Sequence, residues 1–389
     1  MRTTLLLSTL TVAHAQYRAI AKIRGSSGVD SAVSGTVIFE QPAGTDKLSD
    51  VTVTTSISGL RPGAHGFHIH QYGDVRSTSD LTTMSAHFVP YCAPPDLDGQ
   101  GNPIGPSCED DQVHGLPPSI RRQPGDMGNL TVGNDGTVSV STRTLTIGQR
   151  KMSLADPLRS IVGRTVMIHS NPDDGTQPYG NAGPPEVYGV IGLASTAAGA
   201  TNAAEAPSVP HVTKVICTFE RSTSSTTNPT IDGQPASVPA GEVVGSALLT
   251  LQEPDRPNVV RMQARLQGLN SGSTHSFHFH TWGDMTVGLS GTSPSRSPLS
   301  FFSSHTIIPI PFCCTGTGLG PIYNENAIVV ESLHVNAQGF GLMDQVSVQA
   351  SSQAQQHSSH LLLTSLPVLM DPRSLLLVTA GYYSTSAAH

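Results

Sequence analysis

Short runs in which apolar and polar residues alternate follow one another along the chain, each closed by Gly, Pro or an Asn-Asp-Gly turn. "YRAIAKIRG", "SGTVIFEQ", "DVTVTTSISGL" and "GFHIHQYG" fall within residues 17–73, and "GTVSVSTRTLTI", "GRTVMIHS" and "VYGVIGLA" follow by residue 194. Side chains two apart on a strand share a face, so a period of two marks half-buried antiparallel strands. Charged residues are only 13%, while Gly (38) and Pro (29) are abundant. That combination points to an all-β sandwich or barrel rather than a helical bundle.

A chain of 389 residues holds more than one domain. Residues 196–211, "TAAGATNAAEAPSVPH", are small and featureless and read as a linker. Beyond it the order of events restarts with "TKVICTFE", "GSALLTL", "VVRMQARLQGL", "SFHFHTWG" and "HVNAQGFGLMDQVSVQA". The copies lie about two hundred residues apart, an internal repeat. We therefore assign residues 16–195 to a first domain, 212–350 to a degenerate second copy and 351–389 to an atypical tail. No equivalent of "GRTVMIHS" or "GNAGPPEVYGVIGLA" is evident in that tail. Residues 1–15, "MRTTLLLSTLTVAHA", carry one Arg, a short apolar run and Ala13-His14-Ala15, as a secretory signal does. The run is too short to span a bilayer, and no other segment reads as a membrane helix. Export into an oxidising space follows as the expected location. The net charge of −7, with no Lys/Arg cluster, argues against nucleic acid as a partner.

Sixteen His among so few charged residues direct attention to metal. "GAHGFHIHQYGD" at 63–74 is nearly rewritten as "GSTHSFHFHTWGD" at 272–284. On a strand His68 and His70 turn two imidazoles to one face and Ile69 to the other. Imidazole suits copper and zinc. A lone pair of histidines on a strand is more often a surface feature. Here His65 precedes the pair, His87 follows in "SAHFVP", His114 and Asp126 come next, and His169 ends "GRTVMIH". The Pro/Gly/Asp-rich stretch between 88 and 125 is long for a compact domain, which marks it as functional.

These motifs make the first domain resemble copper/zinc superoxide dismutase. "GAHGFHIHQYGD", "SAHFVP", "HGLPPSIRRQPGDMGNLTV", "GRTVMIHSNPDDG" and "GNAGPPEVYGVIGLA" stand in the family's order across nearly all of residues 17–195. The tandem, zinc-poor arrangement also resembles secreted copper-only superoxide dismutase repeat proteins. The resemblance implies two tandem Greek-key, immunoglobulin-like β-sandwich or barrel domains, an architecture already known for this family. It implies copper held by His68, His70, His87 and His169, superoxide as substrate, and oxygen and hydrogen peroxide as products. His87 would bridge copper to zinc and carry a proton. His114 and Asp126 match zinc ligands, but Gln123 stands where the remaining zinc histidine belongs, so that site is weak or empty. Asp126 would then fix the His87 tautomer, and Asp173 would link the two sites through their histidines. Simple turn formation in "GDMGN" and "PDDG" is the alternative for both carboxylates.

Two departures bear on catalysis. Pro185 stands where the family has the Arg that attracts superoxide, with Glu186 beside it, so anion capture should slow. Arg76, Arg121 and Arg122 are candidates to compensate. In the second copy His275, His278, His280 and His305 remain, enough for at most weak copper binding. The zinc Asp aligns near Val329, and a loose alignment puts Tyr383 at the fourth copper position. Of the five Cys, Cys92 and Cys108 flank the first copy's insertion and form a disulfide candidate. Leu81 and Tyr188 replace the family's disulfide cysteines, Cys217 reads as a buried thiol, and the adjacent Cys313 and Cys314 stay unassigned. Asn129-Leu130-Thr131 is a glycosylation sequon. Three readings remain: an extracellular superoxide dismutase, a copper-binding protein with little turnover, and an inert sandwich. Contact between the two domains, or a homodimer, could cover the sandwich face.

Overall fold

The structure is a computed structural model. It describes residues 16–194 with short breaks, the longest at 27–32, 91–95 and 137–142. Further along it describes 214–221, 230–235, 243–253, 256–279 apart from 276, 333–348, 368–370 and 376–382. The expected leader, the linker, Cys92, His280, His305, Cys313, Cys314, Val329 and Tyr383 lie outside the described residues.

The first unit is one antiparallel sheet of eight strands: β1 (Gln16–Gly25), β2 (Ser34–Pro42), β3 (Val51–Ser58), β4 (Gly63–His70), β5 (Asp126–Val132), β6 (Arg143–Ile147), β7 (Thr165–His169) and β8 (Pro185–Leu193). Their order is β5-β4-β7-β8-β1-β2-β3-β6. The chain crosses the sheet between β3 and β4 and again between β5 and β6, as a Greek key does. The period of two decides what is buried. Val37 and Phe39 of β2, Val51, Val53 and Ile57 of β3, and Phe67 and Ile69 of β4 all point inward. They join side chains from β1, β5, β7 and β8 in one cluster. A single core fed from both ends of the sheet means that the sheet curls on itself, so the fold is all-β.

β4 is buried on both faces: Phe67 and Ile69 enter the core, while His68 and His70 face the opposite way and are covered by loops. Those loops carry the site. A helical turn, Cys108–Gln112, presents Asp111 to Lys151 (2.8 Å) and Arg159 (2.7 Å). Lys151 also donates to the Arg122 carbonyl at 2.9 Å. These buried contacts tie the 108–125 segment to the sheet.

Further along, β9 (Lys214–Arg221), β10 (Val243–Glu253), β11 (Arg256–Leu266), β13 (Gly341–Val348) and β15 (Leu376–Tyr382) form a second sheet in the order β13-β11-β10-β9-β15. β12 (Phe277–Phe279) pairs separately with β14 (Val368–Met370). The order β6-β3-β2-β1-β8 of the first sheet thus recurs in the second, and β12–β14 pair as β4–β7 do. Two of these strands come from the stretch that the sequence leaves without a strand pattern. Arg24 of β1 forms an ion pair with Glu220 of β9. Cys217 on β9 is a buried free thiol. Among the described residues no helix is long and apolar enough to cross a membrane.

Candidate metal centre

Four imidazoles converge. His68 and His70 come from β4, His169 ends β7, and His87 is brought in by a bridge to His70. One ring nitrogen of each lies within 4.8 Å of the others. The outer nitrogens show which atoms face inward. His70 donates from Nδ1 to the Ser85 carbonyl (2.7 Å), and His169 from Nδ1 to the Gly183 carbonyl (2.9 Å). Their Nε2 atoms then meet at 3.4 Å as two lone pairs. His87 donates from Nδ1 to Asp126 (2.9 Å) and also presents Nε2. His68 reverses the pattern, donating from Nε2 to Asp173 (2.8 Å) and leaving a buried Nδ1 with no hydrogen-bond partner. Lone pairs pressed together out of water are repulsive unless a cation joins them, and outer bonds of this kind orient histidines as metal ligands.

Burial pushes His68 down to about 4 and His169 to about 3, and lowers His70 well below the ordinary histidine value. Neighbouring imidazoles add to each shift. These three rings are therefore neutral ligands at pH 7.

Behind the cluster runs a second tier. His114 donates from Nε2 to Asp173 (3.0 Å), and its Nδ1 lies 3.1 Å from Asp126, outside hydrogen-bond geometry. Burial alone would lower His114, but the carboxylates of Asp126 and Asp173 outweigh it and raise the ring to about 9. Burial opposes ionisation of Asp173 in turn, yet bonds from His114 and His68 hold it far below the usual carboxylate value. A row of close contacts, His68–Asp173–His114–Asp126–His87, links one imidazole of the cluster to another. Gly125 makes the approach possible, because a Cβ there would overlap the Ile69 carbonyl and the Phe88 nitrogen. Asn129 clamps the far end: its side chain accepts from the Asp173 N–H (2.7 Å) and donates to the Asp173 carbonyl (2.8 Å).

The stretch that carries the site resembles a known family. Residues 33–191 match the family model described as copper/zinc superoxide dismutase (SODC). This part of the chain is superoxide dismutase-like. A solved structure titled "Crystal Structure Analysis of the clock protein EA4" is 28% identical over 45% of this chain and 92% of that one, with a TM-score of 0.33. The family match and the histidine cluster together indicate a copper-binding, superoxide dismutase-like protein.

In the superoxide dismutase-like unit, His87, His114 and Asp126 also lie within 4.8 Å of one another and could form a second metal group. The carboxylate argues against it. Asp126 Oδ1 accepts from His87, and Oδ2 accepts from the backbone N–H groups of Gly115 (2.9 Å) and Gln123 (3.0 Å). Oδ2 is thus filled, while Oδ1 keeps a lone pair beyond its bond from His87. Gln123, at the position of the missing zinc histidine, donates from Nε2 to the Gln112 carbonyl and leaves a buried Oε1 without a partner. With Gln123 in place of the third imidazole, two histidines and one carboxylate make a poor zinc site.

Several expectations change around the mouth. Glu186 does not face it. A bulge between Pro185 and Val187 turns Glu186 inward, where it is 4% exposed. There it accepts two bonds from Arg61, both 3.3 Å, and lies 3.4 Å from His65. The buried His65 ring is wedged between the carbonyls of His169 (2.7 Å) and Arg61 (2.8 Å), which braces His169 from behind. The proposed compensating cations are committed elsewhere: Arg76 pairs with Asp74 (2.6 Å), Arg121 lies 3.6 Å from Asp110, and Arg122 is buried, donating to the Asp126 carbonyl. Tyr188, in place of a disulfide cysteine, packs with Val75, Met84, Met167 and Val190. The sequon asparagine is the clamp on Asp173.

In the second unit, His278 pairs with Leu369 as His68 pairs with Met167. Tyr383, the residue set against His169 by the loose alignment, lies outside the described residues. His275 is buried, 2.6 Å from the Ser273 hydroxyl. The Arg61–Glu186 lock and the exposed Tyr179 beside His87 escaped the sequence reading. A bulge and a loop apex leave no periodic signal.

Proposed function

We propose that the chain is an exported superoxide dismutase with one copper site, built by His68, His70, His87 and His169. The observation that carries this reading is the inward set of lone pairs: Nδ1 of His68 and Nε2 of the other three, each ring pinned by a carbonyl or carboxylate on its other nitrogen. Four imidazole nitrogens suit copper, and among the described residues no thiolate competes. Copper bound there would supply one-electron chemistry, so that one superoxide is oxidised to oxygen and a second is reduced to hydrogen peroxide with two protons.

The protein's own part is geometry and proton handling. Asp173 and Asp126 hold the His68 and His87 tautomers, and His114 holds the two carboxylates apart. With Nδ1–H fixed on Asp126, His87 can carry a proton at Nε2 to the departing peroxide. Zinc is not required in this reading, because Gln123 leaves the second group one imidazole short. Export rests on residues 1–15, and a second copy of the unit on the recurring strand order; both belong to the proposal.

Copper storage with little turnover is the competing reading. It is favoured by Pro185, which leaves no guanidinium at the position where the family focuses its anionic substrate. Metal analysis with steady-state dismutation decides between them. Stoichiometric copper, little zinc and dismutation lost in His68→Ala support the enzyme, while copper without turnover supports storage.

A further inference from the structure

Ile120, Tyr179 and Leu342 are the exposed large apolar side chains among the described residues, and Tyr179 is the one set against the metal cluster. Its ring lies edge-on to His87, centroids 5.5 Å apart and planes at 63°. His87 itself is 4% exposed, whereas Tyr179 is 50% exposed. The tyrosine thus touches the buried imidazole while half of its surface meets water.

The loop that carries Tyr179 is tied down on both sides of it. Asn171 donates its N–H to the Ala182 carbonyl (2.8 Å), Asp174 to the Gly180 carbonyl (2.9 Å) and Gly180 to the Thr176 carbonyl (2.7 Å). The Asn181 side chain donates to Asp174 and Thr176, and Gln177 donates to the His114 carbonyl (2.8 Å). Gly180, at φ +74°, lies so close to Asp173 and His114 that a Cβ would overlap the Asp173 carboxylate. The loop is thus seated on the second tier, with Tyr179 projecting over His87. An aromatic held this firmly, half in water, is placed for more than fold.

We propose that Tyr179 is a positioning residue that buttresses the His87 ring and screens the metal by size. This rests on the copper reading given above. Edge-on aromatic contact restrains how the imidazole tilts, and it does so with the ring rather than the hydroxyl. A small anion such as superoxide passes beside the ring. A bulky chelator, which must displace His87 to reach the metal, does not. Selection at Tyr179 thus works by size rather than by charge.

The test uses the full copper-loaded chain and two variants, Tyr179→Ala and Tyr179→Phe. Copper loss to excess EDTA should be roughly three- to tenfold faster in Tyr179→Ala. Its Cu(II) electron paramagnetic resonance spectrum should shift as His87 tilts. Tyr179→Phe should restore both to wild-type behaviour, because the ring carries the contact. Azide, a small-anion probe, should bind all three forms with affinities within about twofold. Tyr179→Leu, which keeps apolar bulk on the loop, replaces the alanine variant if that fails to fold, and faster copper loss is expected there too. Unchanged copper loss and spectrum in Tyr179→Ala would overturn the proposal, as would a phenylalanine variant as impaired as alanine. A wild-type chain that takes up no copper would remove the copper reading and this inference together.

Discussion

At the scale of single residues, the site is organised by the atoms that point away from it. Asp173 holds His68 by Nε2, and without that bond the ring is free to turn its lone pair out of the cluster. Asp173→Asn should therefore weaken copper binding by roughly ten- to a hundredfold, the usual cost of losing such an orienting partner, measured by competition with a chelator of known affinity. A metal-free chain should also show a pH signature. His68 and His169, at about 4 and about 3 in the fold against 6.5 unfolded, resist protonation that the unfolded chain accepts. Their contribution is present above the unfolded value and is lost as pH falls from 6.5 toward 4. His114, raised to about 9, works in the opposite sense: its contribution is full below 6.5 and is lost as pH rises through 9. The metal-free protein should thus melt at the highest temperature near neutrality and lose stability on both sides, which thermal scans across pH will show. A melting temperature that climbs steadily into acid would contradict these environments. The period of two made His68 and His70 legible in the sequence, while His87 and His169 were legible through the family resemblance that the surrounding motifs carry. Glu186 was misread for the same reason: a bulge breaks that period, and only the three-dimensional register shows the turn inward.

At the scale of elements, the loops do what the strands cannot. β4 and β7 supply three imidazoles, but His87, His114 and Asp173 reach the site on segments held by side chains distant in sequence. Asn129 is one such tie, joining β5 to the loop after β7. Its amide is already engaged on Asp173, so in a eukaryotic host the Asn129-Leu130-Thr131 sequon should remain unmodified in folded, copper-competent protein. Mass spectrometry of the secreted chain reads this directly, and a glycan there on active protein would show the clamp to be dispensable. Gly180 is the second tie. At φ +74° and against Asp173, Gly180→Ala combines backbone strain with overlap and should destabilise the fold by about 2 kcal/mol or more, read by chemical unfolding. Strands announced themselves through alternation, whereas these loops are irregular and their partners lie far away in sequence. The same limit applied to β14 and β15, whose run of consecutive apolar residues conceals the period on which strand recognition depends.

At the scale of the whole molecule, one core serves the first unit, and the second sheet repeats the order of five of its eight strands. The ion pair of Arg24 with the buried Glu220 is a link between them. Removing Arg24 leaves that carboxylate buried without its partner, so Arg24→Ala should cost the full chain on the order of 3 kcal/mol while leaving copper content unchanged, measured by chemical unfolding beside metal analysis. The central claim is narrower than the architecture: the four-imidazole cluster of the first unit holds copper and turns over superoxide. The most direct measurement is metal content and steady-state dismutation on the purified full chain, compared with His68→Ala. The account predicts stoichiometric copper, little zinc, and dismutation that falls by about a hundredfold or more when His68 is lost. Copper retained by His68→Ala, or dismutation equal in the two proteins, would contradict it.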